Sequence, residues 1–212
     1  MTSPLLTATN LSAGYRATTV VREVSLTLRA GDQVALLGRS GSGKTTLLLA
    51  MAGLVPPSAG VVDRHSLSPR DVAVVFQSPS LIAELTSLEN VVLPLRLSSR
   101  LPASEAYDRA RRALDSLGVD AVDALPGQMS GGQQQRVAVA RVLATDAQVI
   151  FADEPTGSLD ATHARAVLSA LRTHCTAQRG ALVLATHDAG LAAALPTTWR
   201  LDEGRLHQVV PC

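Results

Sequence analysis

Gly38-Arg39-Ser40-Gly41-Ser42-Gly43-Lys44-Thr45 lies between two apolar runs, Gln33-Val34-Ala35-Leu36-Leu37 before it and Thr46-Leu47-Leu48-Leu49-Ala50-Met51-Ala52 after it. The first run has the length and composition of a buried strand. The second predicts a helix from Lys44 to Ala52 that stops at Gly53. The octapeptide between them fits G-x-x-x-x-G-K-[ST]. Glycines there let consecutive backbone N–H groups turn toward one anion, and the helix behind them adds its positive end. Lys44 brings a point charge for the β- and γ-phosphates, and Thr45 a hydroxyl for Mg²⁺. Gly38, Arg39, Ser40, Gly41, Ser42, Gly43, Lys44, Thr45 and Thr46 are thus the expected cradle of a nucleotide.

Two further stretches supply partners for that cradle. Val149-Ile150-Phe151-Ala152-Asp153-Glu154 is an apolar run ending in two acids. In a parallel sheet, ligands gather at the carboxyl ends of strands. Asp153 is expected to hold Mg²⁺ through water, and Glu154 to face the attacking water as general base. Met129-Ser130-Gly131-Gly132-Gln133 opens a helix running to about Ala144. It reads as a second anion site or, taken alone, as an N-cap after a glycine turn.

The remaining chain alternates between the two periods. Val20–Leu28, Asp71–Phe76 and Ala181–Ala185 read as strands, Asp160 to about Thr176 as a helix, and Trp199–Val209 as a closing hairpin around Asp202-Glu203-Gly204. From Leu85 to about Leu125 the pattern is helical. Thr86-Ser87-Leu88-Glu89 is a capping box, and Ser104–Leu117 is charged on one face and Ala/Leu on the other. Strands alternating with helices imply an α/β fold with a mainly parallel sheet covered on both faces.

Composition narrows the class. The chain has 212 residues, 46 % hydrophobic and 17 % charged, which fits one domain with a small insertion and excludes general disorder. Lys plus Arg is 19 against 18 Asp plus Glu, a balance that argues against a broad electrostatic grip on nucleic acid or anionic lipid. Aromatics are 2 %, so the core is expected to be Leu, Val and Ala, with no platform for base stacking. Cys175 and Cys212 have no metal-ligand spacing and are too few for a disulfide framework, as expected in a reducing compartment. No apolar run is long enough to span a membrane, and the N-terminal stretch MTSPLLTATNLSAGYR does not read as a secretory signal.

In order, these motifs resemble the nucleotide-binding subunits of ABC transporters. Gly38–Thr45 corresponds to that family's Walker A loop, Gln77 to the Q-loop and Met129–Gln133 to the LSGGQ signature. Asp153 and Glu154 correspond to Walker B, Ser158-Leu159-Asp160 to the D-loop, and His187 to the H-loop. Tyr15, after Gly14, stands where the family stacks an aromatic ring on adenine. The resemblance implies a P-loop NTPase, RecA-like sheet within one domain over residues 1–212. It also implies an antiparallel β-subdomain, abbreviated around Ser58–Arg70, and an inserted α-helical subdomain at about 85–128. ATP and Mg²⁺ are the implied ligands. Glu154, His187 and Gln77 take catalytic roles, and Thr45, Gln77 and Asp153 the metal. Tyr15, Gly38–Thr46 and Ser130–Gln133 take the nucleotide.

The implied partners are a second copy of the chain, head to tail across ATP, and an integral membrane permease. That would place the chain in the cytoplasm, peripheral on the inner face of the membrane, with no nucleic acid partner. Leu85–Leu95 further resembles the lipoprotein-releasing, macrolide-export and cell-division branch. There are departures: Met129 replaces Leu, Ala152 stands where a larger aliphatic residue is usual, and the interval from Lys44 to Gln77 is short.

Other readings remain beside these. Gln77 alone is a surface residue, His187 a structural histidine, Asp160 an N-cap and Tyr15 a strand residue. Leu93, Leu95 and Leu97 suit either a docking groove or the core. A regulator of a membrane complex, or a soluble ABC ATPase uncoupled from transport, stands as the alternative function.

Overall fold

The computed structural model describes residues 3–16, 18–98 and 101–209. Its centre is a six-stranded sheet in the order β5 (Val72–Val75), β6 (Val149–Asp153), β7 (Ala181–Ala185), β3 (Gln33–Leu37), β8 (Thr197–Asp202), β9 (Arg205–Val209). All neighbours are parallel except β9, which closes an antiparallel hairpin on β8. Because side chains alternate across a strand, the short apolar runs serve two cores at once. Val149, Phe151, Val183 and Ala185 face a core completed by β1 (Pro4–Tyr15), β2 (Thr18–Arg29) and α1 (Lys44–Ala52). Ile150, Ala152, Leu182 and Leu184 face the other, built by α2 (Ser87–Ser98), α3 (Ala103–Ser116), α4 (Gly131–Leu143), α5 (Ala161–Ala177) and α6 (Ala189–Ala193).

A second sheet, antiparallel, has the order β2-β1-β4, with β4 at Ala59–Asp63. The segment expected to be abbreviated, Ser58–Arg70, supplies only this one strand before a single 3₁₀ turn at Pro69–Asp71. Gly60 is required where β4 meets β1. Its φ is +75°, and a Cβ there would sit 2.3 Å from the Asn10 carbonyl oxygen.

Helices α2, α3 and α4 pack on one another. The capping box forms as expected: the Glu89 N–H donates to Thr86 Oγ1 at 3.2 Å, and the Thr86 N–H to Glu89 Oε2 at 2.8 Å. On α3 the buried face is Ala106, Ala110, Ala113 and Leu114. Arg109 ties that helix to the α4–β6 turn by donating to Asp146 Oδ2 at 2.9 Å, and it also donates to Glu105 Oε1 on its own helix at 3.0 Å. Of the three leucines left open by the sequence, Leu95 is core and Leu97 is 76 % exposed. Short elements without a sequence forecast include the 3₁₀ turn Pro126–Gln128 and α6, capped by Asp188.

Candidate active site

Strand β3 delivers the loop of residues 38–43 to the start of α1 at the carboxyl edge of the parallel sheet. The loop's shape needs its glycines. Gly41 and Gly43 have φ of +78° and +102°, and a Cβ on Gly38 would lie 2.5 Å from the Leu201 carbonyl oxygen. No acidic residue occupies the first turn of α1 itself, so the helix carries no acid of its own against its positive end. Lys44 folds back along the loop, its Nζ donating to the carbonyls of Gly38 at 2.9 Å and Arg39 at 3.3 Å.

Beside the loop is a cavity of about 360 Å³. It is lined by Val20, Ser40, Gly41, Gly43, Lys44, Thr45, Thr46, Gln77, Asp153, Glu154 and His187. Thr45 Oγ1 donates to Asp153 Oδ2 at 2.6 Å, joining two residues far apart in sequence. Asp153 is almost wholly buried. Burial pushes its carboxyl above the usual carboxylate range, the Thr45 hydrogen bond opposes this, the neighbouring Glu154 charge adds to it, and Lys44 opposes it.

Strand β6 ends at Asp153, and Glu154 turns the backbone sharply, with φ +47°. Its N–H still donates to the Ala185 carbonyl at 3.0 Å, which pins the turn to β7. Glu154 Oε2 lies 2.9 Å from His187 Nδ1. The carboxylate side chain is 11 % exposed and the imidazole 76 %. A non-glycine residue held at positive φ between two strand ends is stored backbone strain, a feature that clusters at functional sites.

The structure thus gathers Thr45, Gln77, Asp153, Glu154 and His187 around one cavity. It does not bring Tyr15 or Ser130–Gln133 there. Tyr15 ends β1 half-exposed and is not among the lining residues. Ser130 caps α4: its Oγ accepts from the Gln133 N–H at 3.2 Å, while Gln133 Oε1 accepts from the Ser130 N–H at 2.8 Å. Such a capping box leaves the Ser130 hydroxyl hydrogen free to donate elsewhere. Residues 158–160 lie against this helix start, with Ser158 Oγ 3.5 Å from the Gly131 carbonyl. Asp160 caps α5 by accepting from the Thr162 and His163 N–H groups, both at 2.9 Å. Sequence reasoning missed Val20 as a cavity wall and the Glu154–His187 contact. The first lies outside any motif, and the second joins residues that follow the ends of separate strands, β6 and β7.

A family model described as ABC transporter matches residues 21–157. A lipoprotein-releasing system ATP-binding protein LolD from Chromohalobacter salexigens is 41 % identical over 209 residues, covering 92 % of this chain and 88 % of the relative. Another LolD, from Hydrogenovibrio crunogenus, is 38 % identical over 229 residues and covers 100 % and 98 %. Among solved structures, a dimeric ATP-binding cassette in a post-hydrolysis state bound to ADP and Pi superposes with a TM-score of 0.88 at 30 % identity, covering 98 % of this chain and 100 % of that one. The glycine loop, the strained acid at the end of β6 and the capped start of α4 fall within that matched span, in the order the resemblance requires. The chain therefore belongs to the ABC transporter family, as one of its ATP-hydrolysing cassettes.

Proposed function

We propose that this cassette powers a lipoprotein-releasing or related export complex, in which a separate permease crosses the membrane. The likeness to LolD supports the branch. No helix among the described residues is long and apolar enough to cross a membrane, so a transmembrane partner fits. The proposed location is the inner face of the membrane, with α2 and α3 as the unit that meets the permease. Two copies close head to tail, each Ser130–Gln133 helix start capping the nucleotide held by the other's phosphate loop.

The observation that carries the catalytic reading is the convergence of Glu154, His187 and the Thr45–Asp153 pair on the cavity at the α1 N-terminus. Glu154 accepts the proton of the attacking water, and Gln77 orients that water with its amide. His187 holds Glu154 through Nδ1 and leaves Nε2 for the γ-phosphate. A neutral imidazole carries one N–H, so it donates to either the Glu154 carboxylate or the γ-phosphate at a time. Lys44 exchanges its carbonyl contacts for phosphate oxygens.

The residues fit Mg²⁺. Thr45 and Asp153 are hard oxygen donors already in contact, and Asp153 is a buried carboxylate that a cation would hold ionised. No group of three or more His, Cys, Asp or Glu among the described residues is arranged to hold a metal. Beside Thr45, Asp153 and Gln77, phosphate oxygens of the nucleotide and water would complete the ligand set, and the ion, when bound, would neutralise charge on the phosphates.

Glu154→Gln tests the assignment. Losing a general base costs about 10²–10⁴ in rate. Steady-state turnover should fall by that factor, ATP binding should persist, and a dimer should accumulate on sizing with ATP. Near-normal turnover removes Glu154 from the role.

A further inference from the structure

Gln135 lies on α4, two residues beyond Gln133. Its side chain is 1 % exposed. Its Nε2 donates to the Phe76 carbonyl at 3.2 Å, while its Oε1 is buried with no hydrogen-bond partner. A half-satisfied amide is an expensive occupant of a core position that an apolar side chain of similar size would fill at less cost. The bond it does make lands on the residue immediately before Gln77.

About one and two-thirds turns along the same helix, Arg141 reaches the other side of that segment. Its guanidinium donates to the carbonyls of Ser80 at 3.0 Å and Pro79 at 3.3 Å. Farther on, Asn90 holds both backbone groups of Ile82, accepting from its N–H at 2.8 Å and donating to its carbonyl at 3.1 Å. Carbonyls 76, 79 and 80 are therefore fixed by α4, and Gln77 and Ser78 form a short exposed span between the fixings. Each contact runs from a side chain to the loop's backbone. It constrains where the loop sits, whatever side chains the loop carries.

We infer that Gln135 and Arg141 are positioning residues for Gln77, clamping the backbone on both sides of it so that its place in the nucleotide cavity follows the position of α4. The inference rests on the reading of Gln77 as a residue that acts on the nucleotide or the attacking water. A helix of 13 residues is a stiff rod about 20 Å long. A shift or tilt at its Ser130 end therefore moves both fixings together.

The test uses the full chain and kinetics with ATP. Gln135→Met removes the donor and the orphan oxygen at nearly constant volume. Its expected effect is a fall in kcat of about tenfold, the scale of a misplaced but intact catalytic group, with KM for ATP within about twofold. Arg141→Met should do the same, and Arg141→Lys should restore part of the rate. In a Gln77→Ala background, neither change should cost more than about twofold. Amide hydrogen exchange gives a readout without turnover: residues 77–82 should exchange faster in both Met variants, while β6 and β7 keep their protection. Equal losses with and without Gln77, or unchanged exchange at 77–82, would overturn the clamp. If Gln77→Ala alone leaves turnover intact, the reading of Gln77 fails and takes the clamp with it. If Gln77→Ala is impaired and both Met variants are not, the clamp alone fails. Should Gln135→Met melt below the assay temperature, the Arg141 pair carries the same comparison.

Discussion

Among single residues, charge and burial separate the groups that do chemistry from those that hold the fold. His174, on α5, lies under the α4–β6 turn with its Nε2 3.1 Å from the Ala147 carbonyl. Burial lowers its pKa, and the Ala147 contact only partly offsets this. The unfolded chain then takes up a proton at a higher pH than the folded one. Stability from this site is intact above an ordinary imidazole pKa of about 6.5 and is lost as pH falls below it. Thermal melts at pH 7.5 and 5.5 should show a smaller acid-induced drop for His174→Gln than for the parent. An equal drop would assign the acid sensitivity to groups other than His174. Site residues in local motifs, such as Lys44, Thr45, Asp153 and Glu154, were legible in the sequence because their spacing is itself the chemistry. Gln135 was not. An amide following the Gln133 motif carries no periodic signal, and its partner is a backbone carbonyl 59 positions earlier.

At the level of strands and helices, periodicity and caps carried most of the forecast. The α1 range from Lys44 to Ala52 and β7 at Ala181–Ala185 match their sequence readings, because a glycine stops the first and an unbroken apolar run marks the second. Five-residue α6 escaped because one turn containing Gly190 has no helical period, and Asp188 caps it in the manner of a loop. Gly180 shows how tightly adjacent elements are set. A Cβ there would lie 1.8 Å from the Gln148 carbonyl oxygen, at the point where β6 and β7 enter the sheet side by side. Gly180→Ala must spread these two strands. Overpacking of that kind costs ~1–3 kcal/mol, read as a lower urea midpoint at unchanged slope. An unchanged midpoint would mean that the turn relaxes without disturbing the sheet.

For the whole molecule, two cores on opposite faces of one sheet leave the starts of α1 and α4 accessible, and the proposed closure of two copies would complete each site. A mixed dimer with Lys44→Ala in one copy and Ser130→Arg in the other separates shared from self-contained sites. Sharing collects both lesions in one site and leaves the other whole. Single-turnover hydrolysis should then report one active site per dimer, and no active site in an assembled dimer would refute sharing. The sheet order also governs when a site can exist at all. Strand β3, which presents the phosphate loop, is bonded on one side to β7 and on the other to β8, both from beyond residue 180. Within the cavity wall, Val20 lies close to Gly43, and the turn leading into β9 is bonded back to β2 through the Arg22 N–H and the Gly204 carbonyl at 2.8 Å. During synthesis the phosphate loop is made well before β7 and β8, so its strand has neither neighbour until both have followed it out of the ribosome. At typical elongation rates that delay is on the order of ten seconds or more. Throughout it the growing polypeptide has no nucleotide pocket, so a half-made cassette cannot consume fuel.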